Sequence, residues 1–114
     1  MQWIITKDKI NTGGPFDVES RAYKVWNAPK DTKAQYKECP PEAMEPFKRA
    51  FARGLNYEFR LFDDDGELYY EGKCKDLDQQ DEESAFAPLD WAEHDAGCTR
   101  MDYRKKGEKE WKTL

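Results

Sequence analysis

The sequence predicts a single α+β domain, residues 1–114, in which an antiparallel sheet of four to six strands carries one helix on one face. Three observations predict this class. Two pairs of segments alternate apolar and polar residues around a glycine-containing turn, and one segment has the three-to-four-residue apolar spacing of an amphipathic helix. The 114 residues suffice for one hydrophobic core, and the six Phe, six Tyr and four Trp residues distinguish this highly charged chain from a disordered one.

The first strand is predicted at residues 2–10, whose leading residues are strong β-formers. Because side chains alternate across a strand, Trp3 and Ile5 are expected on one face and Ile4 on the other. Residues 21–28 alternate less clearly and predict a weaker second strand. The sequence therefore places two strands before the predicted helix.

The helix is predicted to follow residues 29–41, which contain three prolines and are expected to form an exposed linker. From Glu42 onward the apolar residues recur at spacings of three and four, which indicates a short amphipathic helix. Pro41 suits the first helical position, and Gly54 suits a left-handed cap at the end. Pro46 fits this helix only within its first turn, and otherwise the helix begins later.

The strongest local signal is a β-hairpin formed by the alternating runs 57–62 and 67–71. The runs are separated by residues 63–66, Asp-Asp-Asp-Gly, and the Asp-Gly pair supplies the positive φ angles of a tight turn. Strict alternation predicts that Leu68 faces the core and that Tyr69 faces solvent.

A second pair of strand-like runs, residues 99–105 and 110–114, predicts a closing hairpin. The four residues between the runs include Gly107, as a turn requires. Met101 and Tyr103 are expected on the core face of this hairpin, because polar residues alternate with them.

Residues 76–95, between the two hairpins, are the candidate functional region. They include eight acidic residues and no Lys or Arg, and the sequence predicts a loop without regular structure. Loops of this length are uncommon in a compact domain unless they are functional or packed by their own side chains.

Acidic charges around aromatic residues are typical of a surface that binds a basic protein, because aromatic side chains supply buried contact area and charges steer the partner. The predicted partner-binding residues are Asp78, Asp81, Glu82, Glu83, Phe86 and Trp91. The alternative is a loop whose aromatic residues complete the core while its acidic residues remain solvated.

The overall charge restricts the class of partner. Nineteen basic and twenty-four acidic residues give a net charge of −5, which disfavours direct binding of nucleic acid. No apolar run is long enough to span a membrane, and nothing is typical of a signal peptide, so a cytoplasmic protein is expected. The predicted partner is a protein, either a basic one in general or a nucleic-acid-binding one whose phosphate ligand the acidic residues imitate. An exposed sheet edge would also permit a homodimer.

Three patterns bear on catalysis and metal binding. Cys39, Cys74 and Cys98 are odd in number and lack the spacing of a zinc site, so reduced thiols and no cofactor are predicted. Residues 63–66 place carboxylates beside a turn glycine, but their spacing does not match a calcium-binding loop. Cys98 and His94 could act as a nucleophile and its base, or two carboxylates as an acid and a base. The favoured interpretation is a buried structural cysteine and a surface histidine.

Three strings carry a resemblance: FRLFDDDGELYYEG at 59–72, FAPLD at 86–90 and AGCT at 96–99. In these strings the chain resembles a group of small, uncharacterised bacterial proteins often met in phage-like or mobile-element settings. The resemblance implies an intracellular protein, and regulatory or anti-defence inhibition would suit that setting. The favoured function is a non-enzymatic protein-binding module that regulates or inhibits its partner. The alternatives are a small enzyme that uses Cys98 or a carboxylate pair, and a structural accessory protein.

Overall fold

The sheet is antiparallel and has six strands in the computed structural model, which describes residues 1–10 and 25–114. The strands are β1 (Trp3–Asp8), β2 (Trp26–Asn27), β3 (Tyr57–Phe62), β4 (Leu68–Cys74), β5 (Arg100–Lys105) and β6 (Lys112–Thr113). Their order across the sheet is β2-β1-β4-β3-β5-β6. The predicted α+β class is confirmed. Of the predicted strand at 21–28, the part before residue 25 lies outside the described residues, as do the residues between it and the first strand.

The described residues form four helices, so the prediction of one helix on one face is wrong. They are α1 (Lys30–Glu38), α2 (Pro41–Arg53), α3 (Glu82–Ala85) and α4 (Ala87–Ala96). The main core lies between one sheet face and α3 and α4, and it includes Trp3 and Ile5. Ile4 points to the opposite face, where α1 and α2 leave it 0% exposed. Because Trp3, Ile4 and Ile5 are consecutive apolar residues, this end of β1 requires cover on both faces.

Helix α1 occupies most of the predicted linker at 29–41, so that prediction is wrong. Its prolines lie at its borders, where they limit a helix without interrupting it. None of its side chains is fully buried, but Tyr36 packs with ring centroids 5.1 Å from Trp26 and 5.8 Å from Phe47. One aromatic residue in a polar segment gives no periodic signal, and therefore the helix was not predicted.

Helix α2 begins with Pro41 at its first position, as predicted. Pro46 lies inside the helix, beyond its first turn, and the helix nevertheless begins at Pro41. The expected left-handed cap at Gly54 is wrong, because Gly54 has φ −79° and ψ −6°, which is right-handed. The chain leaves the helix through a tight turn instead, in which the Gly54 amide donates to the Phe51 carbonyl at 3.1 Å.

The β3–β4 hairpin is confirmed, with a bulge that changes the side-chain pattern. Leu61 pairs with Tyr70, but the next residue, Phe62, pairs with Leu68, so Tyr69 is the extra residue of β4. Tyr69 consequently packs against the main core, and Leu68 shares a face with Phe62. The predicted facing of Leu68 and Tyr69 is therefore wrong, because one inserted residue reverses the alternation.

The closing hairpin is confirmed as β5 and β6, and Met101 is 0% exposed in the main core. The strands at the two sheet edges, β2 and β6, have two residues each. Short edge strands offer few free backbone groups to a second chain. The two short edge strands do not support a homodimer formed through a sheet edge, and the homodimer stays a prediction.

Candidate functional site

The acidic segment 76–95 is folded into helices, so the prediction of an irregular loop is wrong. A 3-10 turn at Leu77–Gln79 is followed by α3 and α4. The Asp81 carboxylate caps α3 by accepting a hydrogen bond from the Ser84 amide at 2.8 Å. Pro88 lies in the first turn of α4, and Gly97, with φ +74°, ends it in the left-handed conformation. These start and stop signals are present in the sequence.

The two aromatic residues of this segment pack toward the main core. The Trp91 ring lies 4.8 Å from the Tyr70 ring, and both Phe86 and Trp91 are partly buried against the core. Leu89 and Ala92 are buried beside them. Phe86 and Trp91 therefore hold α3 and α4 on the sheet. At a protein contact they would position the acidic residues, and little of their own area would remain to be buried.

Two carboxylates tie the segment to the sheet. The Tyr57 hydroxyl donates to Asp78 Oδ2 at 2.7 Å, which raises the pKa of Tyr57 to about 12. The Tyr70 hydroxyl donates to Asp95 Oδ2 at 2.8 Å, and burial together with this bond raises the pKa of Tyr70 above its usual value. The predicted contact residue Asp78 thus has a structural role, as does Asp81 at the cap.

Of the five other acidic residues of the segment, Asp76 accepts a hydrogen bond from Asn56 Nδ2 at 3.0 Å. The other four lie on α3 and α4 and form what we name the acidic surface: Glu82, Glu83, Asp90 and Glu93. All four residues are exposed. The eight acidic residues of segment 76–95 leave nineteen basic and sixteen acidic residues elsewhere, so the rest of the chain has a net charge of +3. The negative charge of the protein is therefore concentrated on this one segment. Core contacts beneath its helices hold them on the sheet.

The candidate nucleophile Cys98 is 0% exposed. Burial, with the nearby carboxylates of Asp63 and Asp95, raises the pKa of the Cys98 thiol to about 11. His94 is exposed, and its ring Nδ1 lies 2.8 Å from the Asp90 carbonyl oxygen. Since the nucleophile must be a thiolate accessible to substrate, this geometry does not support catalysis by Cys98.

We expect one of the three thiols to react rapidly with Ellman's reagent at neutral pH in the native protein. Cys39 is partly exposed, whereas Cys74 and Cys98 are buried and burial raises the pKa of Cys74 to about 12. The other two thiols should react only after guanidinium is added. The variant Cys39→Ser should have no rapid reaction. A rapid native reaction at Cys98 would contradict this expectation and restore the thiol as a candidate nucleophile.

Two carboxylates outside the acidic segment, Asp63 and Glu58, have a lowered pKa and are ionised at neutral pH. Asp63 Oδ1 accepts from the amides of Glu67 and Asp65 at 2.8 and 3.0 Å, and these bonds lower the pKa of Asp63. The Asp63 carboxylate therefore organises the hairpin turn. Burial would raise the pKa of Glu58, but hydrogen bonds from Arg104 and Lys73 outweigh it, and the pKa is lowered. Among residues 1–10 and 25–114, no three His, Cys, Asp or Glu side chains are grouped as metal ligands.

A second charged region, which the sequence did not single out, lies on β1, β3, β4 and β5, on the part of the face opposite the main core that α1 and α2 do not cover. We name it the open sheet face. Its basic residues are Lys7, Arg60, Lys73, Arg100 and Arg104, and its acidic residues are Glu58, Glu71 and Asp102. Trp111 stacks on two of them, with ring-centroid distances of 3.9 Å to the Arg60 guanidinium and 4.3 Å to that of Arg104. Strand alternation identifies both arginines as outward, but only the pairing of β3 with β5 brings them under one ring.

Comparisons with known proteins give no evidence about function, so the proposed function is argued from the geometry described above. No protein-family model matches the chain, and neither a curated protein nor a solved structure does. None of the helices in the described part of the chain is both long enough and apolar enough to span a membrane.

Proposed function

We propose that this protein is a non-enzymatic module that binds a basic protein partner on the acidic surface and thereby regulates or inhibits it. The single observation that carries the proposal is the charge separation within residues 76–95, whose apolar side chains pack inward while Glu82, Glu83, Asp90 and Glu93 are exposed. An array of like charges attracts an oppositely charged protein and accelerates its association.

The partner's chemistry follows from the same array. Residues 76–95 have eight carboxylates and no Lys or Arg, a density of negative charge that can imitate a phosphate backbone. A protein whose own binding surface is rich in Lys and Arg fits that pattern best, and a nucleic-acid-binding protein is the clearest example. The acidic surface would then cover the partner's nucleic-acid-binding site and inhibit the partner by preventing nucleic acid from binding. Asp78 and Asp81 would lie beside the contact, and Phe86 and Trp91 beneath it.

We expect the double charge reversal Glu82→Lys and Glu83→Lys to lower recovery of the partner about tenfold, because like charges then meet at the contact. The measurement is quantitative mass spectrometry of proteins captured from a source lysate, followed by titration of the recovered partner in purified form at two salt concentrations. The affinity of the unaltered protein should fall with added salt.

The matched control is the double variant Asp64→Lys and Asp65→Lys, which makes the same charge change at the exposed hairpin turn. It should capture the partner as the unaltered protein does. Circular dichroism confirms that each variant is folded. If both double variants lose the partner equally, binding depends on net charge. If both recover it as the unaltered protein does, binding occurs on another surface. Either result would reject the acidic surface as the binding site.

A further inference from the structure

The open sheet face has the opposite sign of charge to the acidic surface. Its five basic and three acidic side chains give a local net charge of +2 among the described residues. The two surfaces lie on opposite sides of the sheet, since the side chains of the open face alternate with those of the main core. The sheet itself therefore lies between an anion at the open face and the acidic surface.

Within this face, a cleft of about 190 Å³ lies between the outward side chains of β3 and β4 and Trp111. Glu58 is fully engaged there, since its carboxylate accepts from Arg104 Nε at 2.7 Å and from Lys73 Nζ at 3.3 Å. Arg60 is held less completely. Its Nε has no hydrogen-bond acceptor in the described part of the chain, and the Glu71 carboxylate is 3.8 Å away. A buried donor without an acceptor is unusual in a folded protein. Because the Arg60 side chain as a whole is 36% exposed, a ligand carboxylate can approach its guanidinium from the cleft and form a charge-assisted hydrogen bond.

The charge of the cleft selects the ligand. Three cations, Arg60, Lys73 and Arg104, and two carboxylates, Glu58 and Glu71, line it, so one further negative charge balances the site. A carboxylate carries one such charge, whereas a phosphate monoester carries about −1.5 to −2 at neutral pH. A guanidinium also binds a carboxylate through two parallel hydrogen bonds. Outside the cleft, Lys7, Arg100 and Asp102 give a net charge of +1, which favours a further acidic residue in the same ligand.

We propose that this cleft binds a Glu or Asp side chain from an acidic segment of a protein, with Arg60 as the residue that receives the carboxylate and Trp111 as the ring that holds the guanidinium in place. This site is separate from the acidic surface and is of opposite charge, so it does not rest on the proposed function. It gives the module a second contact, one that recognises an acidic peptide.

The test is an NMR titration of the isotope-labelled protein with the peptide acetyl-hexaglutamate amide. The side-chain Nε–H signal of Arg60 and the indole N–H signal of Trp111 should shift and saturate at low-millimolar peptide or below. Acetyl-hexaglutamine amide should produce no comparable shift. The measurement uses the unaltered protein, so it does not depend on the stability of any variant.

Variants then locate the site. Arg60→Gln should weaken hexaglutamate binding about tenfold, as expected for a charge-assisted hydrogen bond. Lys37→Gln, an equal charge change on the exposed side of α1, should change it less than about twofold. The proposal is overturned if the two signals do not move, if Arg60→Gln binds as the unaltered protein does, or if inorganic phosphate or a thymidine oligonucleotide binds the cleft more tightly than hexaglutamate.

Discussion

Replacing Gly72 by alanine should lower the free energy of unfolding by about 3 kcal/mol or more, the largest effect that we expect from a single methyl group in this protein. A Cβ atom built at position 72 would lie 2.2 Å from Phe59 Cζ and 2.5 Å from the Ile4 carbonyl oxygen. The Phe59 ring is 1% exposed and packed in the main core, and the Ile4 oxygen belongs to the backbone of the neighbouring strand. Neither atom can withdraw without displacing a central strand.

Urea denaturation followed by circular dichroism measures this loss. Small domains are stable by roughly 5–15 kcal/mol, so the variant should unfold at a clearly lower urea concentration. The matched control is Gly54→Ala. Gly54 has right-handed backbone angles, and its new Cβ would contact the Phe51 oxygen at an ordinary 3.4 Å. Alanine there should be neutral or stabilising by a few tenths of a kcal/mol. Similar losses in both variants would contradict the close packing of Phe59 over Gly72.

The second large effect is a pH dependence that originates at Lys48. This side chain is 1% exposed, and its Nζ lies 4.9 Å from the ring centroid of Trp26 and 5.1 Å from that of Tyr36. Burial lowers the pKa of Lys48 from 10.5 to about 8. Below pH 8 the folded and unfolded states both carry the proton, and the full cost of burying the charge is present. Between pH 8 and 10.5 the unfolded state binds more protons, so this group makes folding more favourable as pH rises.

Other groups oppose this change at higher pH. Burial raises the pKa of Cys74 to about 12 and that of Cys98 to about 11, so the unfolded thiols ionise first and stability falls as pH rises above 9. The Lys48 contribution is therefore isolated as a difference between the unaltered protein and the variant Lys48→Met. The free energy of unfolding of the unaltered protein, relative to that of the variant, should rise by about 3 kcal/mol between pH 8 and 10.5.

Urea denaturation at half-unit pH intervals measures the difference, and it should be most direct between pH 8 and 9, before the thiols contribute. Lys37→Met provides the control, because Lys37 is exposed on α1. That variant should follow the unaltered protein at every pH. Parallel stability curves for Lys48→Met and the unaltered protein would show that Lys48 keeps an ordinary pKa and would contradict its burial in this site.

The sequence predicted the elements whose signal is local, and it failed where a contact between distant residues decides the outcome. The β3–β4 hairpin follows from alternation around an Asp-Gly turn, but the bulge at Tyr69 reverses the facing of Leu68. Helix α1 lacks a local apolar stripe and is held through Tyr36 against Trp26. In α2 the spacing of the apolar residues predicted the helix but not all of its buried residues. Lys48 is 1% exposed, and a charged residue is not expected to be buried.

The candidate site was predicted as a region and not as a geometry. Its acidic bias is a property of composition, and it was recognised without a structure. The helices over residues 76–95 were missed although Pro88 and Gly97 mark their borders, because α4 is short and its apolar residues do not form one clear stripe. Whether Phe86 and Trp91 turn toward the core or toward solvent depends on the sheet beneath them, and the tertiary structure places them against the core.

By itself, the chain's residue order determined the antiparallel α+β class, both hairpins and the concentration of negative charge in one segment, because periodicity, turn residues and charge act over a few neighbouring positions. The tertiary structure alone decided that α helices cover one sheet face and part of the other, that Phe59 lies over Gly72, and that Trp111 stacks on Arg60 and Arg104. Each of these contacts joins segments that are separated along the chain, and only strand order and register bring such segments together.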